Sequence, residues 1–330
     1  MERFFKALVV EEINSAFERN IKNRSITDLP NNDVIIKVHY SSLNYKDVLS
    51  ATGNKGITRN YPHSPGIDVG GVVVKSELSN FKEGDEVIVT GYDLGMNTPG
   101  GFGEYVCVPN NWIVPKPNGI SLRTAMIIGT AGFTAMNGVI EIINYGIKPE
   151  DGNVVVSGAT GGVGIMATTF LSKLGYKVIA SSGKKEQYSL LEKAGANEIY
   201  GRELLNEEST KPVLPQKWIA GIDTIGGNAL TNILKSLNKY GIVCTCGNII
   251  STELHTSIFP FIIRGGRLIG LASADTYMPK RLMIWDKIVS EFGNFNFDFL
   301  TKEVKLEELN KEIDLMLQGK QVGRVLVNML

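Results

Sequence analysis

The sequence predicts an α/β protein of two domains, one mostly β and one a doubly wound parallel sheet, on three observations. Its 330 residues suit two domains of ordinary size. Roughly the first 120 residues read as short apolar runs punctuated by Gly and Pro, the pattern of a β domain. From about Ser121 onward, apolar strand-like runs alternate with amphipathic helical ones, and that alternation signals a parallel sheet.

In the first region strands are expected over 6–10, 34–40, 70–74, 86–89 and 104–108. A short helix is expected over 45–51, behind the candidate caps Ser41, Ser42 and Asn44, and a glycine-rich loop over 91–103. In the second region strands are expected over 153–157, 177–181, 198–200, 221–224, 241–246 and 267–272. Six strands at this spacing suit a nucleotide-binding sheet. The tail adds a helix over 306–318 and a strand over 323–327 that is free to return to the first domain.

Composition removes several classes of function. With 34 basic against 34 acidic side chains the formal net charge is zero, so no global field draws the protein to nucleic acid or to an anionic membrane. An apolar share of 43% is ample for a core in each domain. The start of the chain is interrupted by Lys6 and closed by Glu11 and Glu12, unlike a signal peptide. The longest apolar stretch, 125–136, includes Gly129, Thr130, Gly132 and Thr134 and falls short of the roughly 18 residues a membrane span needs. A soluble, cytoplasmic protein is expected. Cys244 and Cys246 lie in an apolar strand-like run and, with Cys107, read as core filling rather than a metal or redox site.

The motif with most chemical content follows the first strand of the α/β region: Ser157-Gly158-Ala159-Thr160-Gly161-Gly162-Val163-Gly164, and then a helical run over 165–174. In that order, glycines let backbone approach a pyrophosphate, and the helix N-terminus stabilises its charge. Thr160, Gly161, Gly162 and Val163 are therefore candidate cofactor contacts. Sites for NAD place an acid at the end of the second strand to bind the ribose 2′-OH. Here the strand ends in Ser181-Ser182-Gly183-Lys184-Lys185, with nothing acidic before Glu186. A hydroxyl followed by two ammonium groups suits a 2′-phosphate, so Ser182, Gly183 and Lys184 predict NADPH.

With these residues in view the chain resembles the zinc-independent medium-chain dehydrogenase/reductases. Within them it is similar to the YhdH/YhfP-type group, named as quinone oxidoreductases and including acryloyl-CoA reductase. The resemblance spans nearly the whole chain and rests on Ser41-Ser42-Leu43-Asn44-Tyr45-Lys46-Asp47, Pro65-Gly66-Ile67-Asp68, the run from Ala125 to Met136 and the glycine loop. It implies a GroES-like β domain over 1–122 completed by 298–330, a Rossmann domain over 123–297, and an active-site cleft between them. Zinc-dependent relatives would need a cysteine near Asn44 and a histidine near Ile67, and neither is present.

What the resemblance implies chemically is hydride addition from NADPH to an activated double bond, with no metal and with an enolate-like oxyanion held by hydrogen-bond donors. Asn44 and Tyr45 are the implied donors, Tyr45 also borders the nicotinamide, and Asp47 anchors the local helix. Whether Tyr45 also delivers a proton is open. Arg202, Gly247, Asn248 and Ser273 are further cofactor contacts by position, and Arg324 is either another or a surface ion pair. Lys55, Arg59 and the cations Arg264, Arg267, Lys280 and Arg281 are weaker candidates for a CoA phosphate. Acryloyl-CoA is the expected acceptor and quinones the alternative. A third reading is an NADPH-binding sensor without catalysis. The apolar strand at 268–271, if it is an edge, predicts a homodimer.

Overall fold

Strands form in the N-terminal region where β-branched residues alternate between a core face and an outer face. The structure is a computed structural model that describes residues 4–77 and 80–330. It divides into two units, one formed by Met1–Thr130 with Ala274–Leu330 and the other by Ala131–Ser273.

In the first unit β1 (Phe4–Ile13) and β2 (Ala16–Ser25) form an antiparallel hairpin, turning at Asn14 and Ser15, both of positive φ. The second of these strands is absent from the sequence expectation, because its apolar residues Phe17 and Ile21 are outnumbered by charged and amide side chains on a half-exposed face. Then come β3 (Val34–Leu43), α1 (Tyr45–Ala51), β4 (Asp68–Ser76), β5 (Glu86–Thr90), β6 (Tyr105–Val108) and the two-residue β7 (Val114–Pro115). Val34, Ile36, Val38, Val69, Val73, Val87, Val89 and Val106 fill one shared core.

A long helix, α2 (Leu122–Asn144), leads out of this unit and breaks its helical geometry at Gly129 (φ 50°, ψ −158°). It has the length and apolar composition of a membrane span, longer than the stretch read from sequence, but 83% of its most apolar window is buried within the protein. That burial is ordinary for a core helix.

The second unit carries β8 (Asn153–Val156), α3 (Gly162–Lys173), β9 (Lys177–Ser181), α4 (Tyr188–Lys193), β10 (Glu198–Tyr200), β11 (Trp218–Asp223), α5 (Gly227–Lys235), β12 (Leu237–Thr245), α6 (Phe259–Ile262) and β13 (Arg267–Gly270). The six strands are parallel and lie in the order β10-β9-β8-β11-β12-β13. Counted within the unit this is 3-2-1-4-5-6, the Rossmann order, whose ligands bind beyond the strand carboxyl ends where the order reverses, between β8 and β11.

The chain then returns to the first unit through α7 (Met278–Phe292), β14 (Thr301–Lys305), α8 (Leu309–Leu317) and β15 (Arg324–Asn328). The last strand pairs antiparallel with β3, Val325 opposite Leu43, so the tail completes the GroES-like sheet.

The contact boundaries differ from the sequence limits of 1–122 and 298–330. They fall at Thr130 and Ala274. On one side Thr130 is held by Asp68 through its amide (3.0 Å) and hydroxyl (2.6 Å). On the other, Arg281 of α7 is buried and hydrogen-bonds Thr90 and the Ala274 carbonyl. Both anchors draw flanking segments into the first unit.

A Cβ at position 129 would meet Asp68 Oδ2, Ser42 Oγ and Arg324 Nη2 at 2.5–2.8 Å, and the φ there disfavours any L side chain. Gly129→Ala is therefore expected to destabilise the fold by roughly 2–5 kcal/mol. Chemical denaturation checks this; a loss below about 1 kcal/mol would refute the packing described.

Candidate functional site

The dinucleotide cradle lies in the second unit. After β8, Gly158 turns at φ 57° and α3 begins with Gly161 as its cap, which has no side chain to occupy the amides of the first turn. Those amides and the dipole of a 12-residue helix are suited to a pyrophosphate. Gly164 packs on Gly158 and Ala159, with Ala159 Cα 2.8 Å from where a Cβ would sit. The turn thus fits the cofactor that the fold implies, and the chemistry such a group supplies when bound is hydride transfer.

Asp223, at the end of β11, has no role in the sequence reading. Its buried carboxylate accepts Ser157 Oγ (2.7 Å), Thr245 Oγ1 (3.0 Å) and the Gly226 amide (3.0 Å). It ties together the ends of β8, β11 and β12 where the strand order reverses. Burial raises its pKa, and the hydroxyl and amide donors oppose that. Gly247 packs against Thr224, whose carbonyl a Cβ there would strike. Asn248 follows it on the surface. Ser273 lies three residues past β13, which ends at Gly270 rather than at 272.

At the end of β9 the predicted residues come together. The Thr160 and Ser182 hydroxyls are 2.8 Å apart, and the Lys184 amide donates to Ser182 Oγ (3.2 Å). The Arg202 guanidinium lies across Gly183, where a Cβ would collide with it. Lys184 is half-buried, and its pKa is lowered by burial and by Arg202, with Glu186 opposing. Two cations that disfavour one another beside two hydroxyls make a site that gains from a bound anion. Lys185 is exposed beyond it.

In the first unit the site residues surround Asp68, fully buried at the start of β4. One oxygen accepts Ser42 Oγ (2.6 Å), Asn44 Nδ2 (2.8 Å) and the Thr130 amide (3.0 Å); the other accepts Thr130 Oγ1 (2.6 Å). Arg324, 2% exposed, approaches within 3.9 Å and donates to Ile127 O, Asn44 Oδ1 and Ser42 Oγ. Burial lowers the Arg324 pKa, while Asp68 and Asp47 raise it.

This geometry revises two sequence assignments, those of Asn44 and Arg324. Both Nδ2 protons of Asn44 are taken, by Asp68 and by the Ser42 carbonyl (3.2 Å), so Asn44 has no donor left for a substrate oxyanion. Turning the amide over would set its oxygen against the Asp68 carboxylate and its NH2 against Arg324, which fixes the orientation. Arg324 is not a surface ion pair but a buried counter-charge beside Asn44 and Asp68. Asp47, expected to anchor the local helix, is fully buried and accepts from the amides of Asn44 (2.8 Å), Gly66 (3.1 Å) and Ile67 (2.8 Å). Tyr45, the first residue of α1, remains 36% exposed.

The weaker CoA candidates divide. Arg264 is buried on the carbonyls of Leu214, Lys235 and Leu237 and so is structural, as is Arg281 on Thr90 and Ala274. Lys55 is paired with Glu12 (2.6 Å). Arg267 lies over the Tyr145 ring. None of the three cysteines is in a disulfide, and burial pushes Cys246 up to about 12. Among the described residues no group of three or more His, Cys, Asp or Glu is arranged to hold a metal ion.

Residues 30–118 match the family described as alcohol dehydrogenase GroES-like domain, and residues 162–285 the one described as zinc-binding dehydrogenase. The chain belongs to the medium-chain dehydrogenase/reductase family and is an oxidoreductase with a GroES-like and a Rossmann domain. It is 39% identical to the Bacillus subtilis protein YhfP, provisionally named a quinone oxidoreductase, over the whole of both chains. It is 37% identical to acrylyl-CoA reductase AcuI of Ruegeria pomeroyi, over 98% of this chain and 99% of that one. The solved yhdH oxidoreductase of Salmonella enterica, in complex with NADP, is 39% identical and superposes with a TM-score of 0.96 over 98% of this chain and 100% of that one. YhfP itself, solved with NAD bound, gives 0.96 at 39% identity over 99% and 100%.

Burial, then the Asp68 charge, push Asp47 up to about 7 against its backbone hydrogen bonds. The folded state therefore holds a proton that the unfolded state releases between about pH 4 and 7, and the stability this adds is lost as pH rises through 7. Asp47→Asn, which misplaces one amide hydrogen, should cost about 1–3 kcal/mol at pH 5. The deficit should shrink by pH 8. Calorimetric unfolding at the two pH values checks this, and an equal deficit at both would rule out titration of Asp47 in that window.

Proposed function

We propose that this chain is an NADPH-dependent reductase of an α,β-unsaturated acyl thioester, converting acryloyl-CoA to propanoyl-CoA without a metal. Hydride is added at the β-carbon, the charge passes to the thioester oxygen, and a proton from solvent or an acidic side chain completes the α-carbon. The observation that carries the cofactor half of the reading is the convergence of Ser182, Lys184 and Arg202 around Gly183 at the end of β9, with no acid at the position that binds a ribose 2′-OH. NADP bound to the yhdH oxidoreductase supports it, and NAD bound to YhfP makes NADH the necessary control. The acceptor half is supported by full-length identity to an acrylyl-CoA reductase. The name of YhfP favours quinones as the second reading.

Within the first unit, Tyr45 is the exposed donor that remains once the Asn44 amide is saturated. An ordinary tyrosine is a slow acid at neutral pH but a competent hydrogen-bond donor to a developing oxyanion. We assign it that role. Cysteines kept as thiols rather than disulfides are in keeping with a cytoplasmic setting.

We also propose a homodimer. β13 ends the Rossmann sheet with an open edge. Ile249, Ile250, Ile258, Phe259, Ile262 and Ile263, in the segment leading to it, are all more than 40% exposed. An apolar edge of this kind is stabilised by pairing with a second copy.

Initial rates of NADPH oxidation with acryloyl-CoA and with a quinone panel test the acceptor; efficient quinone turnover without acryloyl-CoA turnover would replace the first reading with the second, and binding without any turnover would leave the sensor. Ser182→Ala combined with Lys184→Ala should weaken NADPH binding on the order of a hundredfold and NADH binding little. Equal losses for both would refute the 2′-phosphate assignment. Sedimentation at micromolar concentration should give twice the chain mass, and a monomer there would count against the dimer.

A further inference from the structure

We propose that Asp68 is the positioning residue of the reaction: through the Asn44 amide it fixes the start of α1 and thereby the placement of the Tyr45 hydroxyl. The inference rests on the reductase reading above and adds to it a residue that makes no contact with substrate. Three observations within the first unit carry it.

The first is connectivity. Asn44 is the N-cap of α1 and Tyr45 is its first helical residue. The Asn44 amide is held from both ends by opposite charges, Asp68 on Nδ2 (2.8 Å) and Arg324 on Oδ1 (3.3 Å). A cap restrained by one hydrogen bond can swing; one restrained at donor and acceptor ends has a single orientation, and the residue after it inherits that restraint.

The second is saturation. Asp68 accepts from Ser42, Asn44 and Thr130 and lies beside Arg324. With no exposed surface, it cannot itself meet an acceptor, and a buried carboxylate with this many donors is held rigidly in place. The third is that a Cβ at Gly129 would strike Asp68, Ser42 and Arg324 alike. The chain leaves no room for the carboxylate to take a second position.

The alternative is that Asp68 serves stability only, and a double-mutant cycle separates the two. NADPH oxidation is measured for wild type, Asp68→Asn, Tyr45→Phe and the double variant, using whichever of acryloyl-CoA or quinone the wild type reduces. Dissociation constants for NADPH are measured alongside by nucleotide fluorescence. The expected result is that Asp68→Asn lowers kcat on the order of tenfold while KM and NADPH affinity stay within about twofold, and that in the Tyr45→Phe background the same substitution changes kcat less than about twofold. Losses that simply multiply would overturn the proposal, as would a tenfold loss of NADPH affinity accounting for the rate.

If Asp68→Asn does not fold, Thr130→Val takes its place in the cycle, since it removes one hydrogen bond to Asp68 and keeps the charge pair. It should lower kcat about threefold in the wild-type background and leave it unchanged in the Tyr45→Phe one. Equal losses in both backgrounds would overturn the proposal. A wild type that reduces neither acceptor overturns the reductase reading and the proposal together, whereas an active wild type with a multiplicative cycle overturns the proposal alone.

Discussion

The first unit is organised around a single carboxylate that has no access to water. Asp68 sits where β3, α1, the break in α2 and β15 come together, and each supplies it with a donor or a counter-charge. An unpaired buried carboxylate would cost several kcal/mol, so these four segments are constrained to meet. The break in α2 follows from the same requirement: the Thr130 amide faces the carboxylate as an N-terminal amide faces an anion, which ends the first stretch of helix at Gly129 and starts the second.

The second unit uses the same device at a different place. Asp223 collects a hydroxyl from β8 and another from β12, with the amide after its own strand, at the point where strand order reverses. Its hydrogen bonds stay within the sheet ends, whereas the cations of this unit, Lys184 and Arg202, stand off at the end of β9. Negative charge is thereby buried in the frame and positive charge is offered at the rim, a separation that favours an anionic ligand over a neutral one.

Much of this was legible in the sequence. The six parallel strands showed in the alternation of apolar runs, and the turn between β8 and α3 in the spacing of its glycines after a strand. These signals are local, each contained within a dozen or so residues. What stayed hidden depends on remote partners. The fixed orientation of the Asn44 amide requires Arg324, 280 positions away, and the roles of Asp68, Thr130 and Asp223 need contacts that no spacing records. Asp68 did stand in a quoted motif, and its position after Pro-Gly-Ile at a strand start was a usable sign of a buried acid. β2 escaped because its outer face is polar, and the contact boundaries differ from the sequence limits because the backbone angle at Gly129 leaves no trace in hydropathy.

The placement of β15 bears on how the protein is made. This strand lies between β14 and β3 and brings Arg324 to Asp68, yet it follows the entire Rossmann unit in the chain. During synthesis the first unit is left with an open sheet edge at β3 and an uncompensated acid until β15 has been added. The Rossmann unit, whose strands are contiguous in sequence, needs no such wait. All six strands of the Rossmann sheet precede β15 in the chain, so that sheet has its full set of strands before the sheet that begins first can be closed.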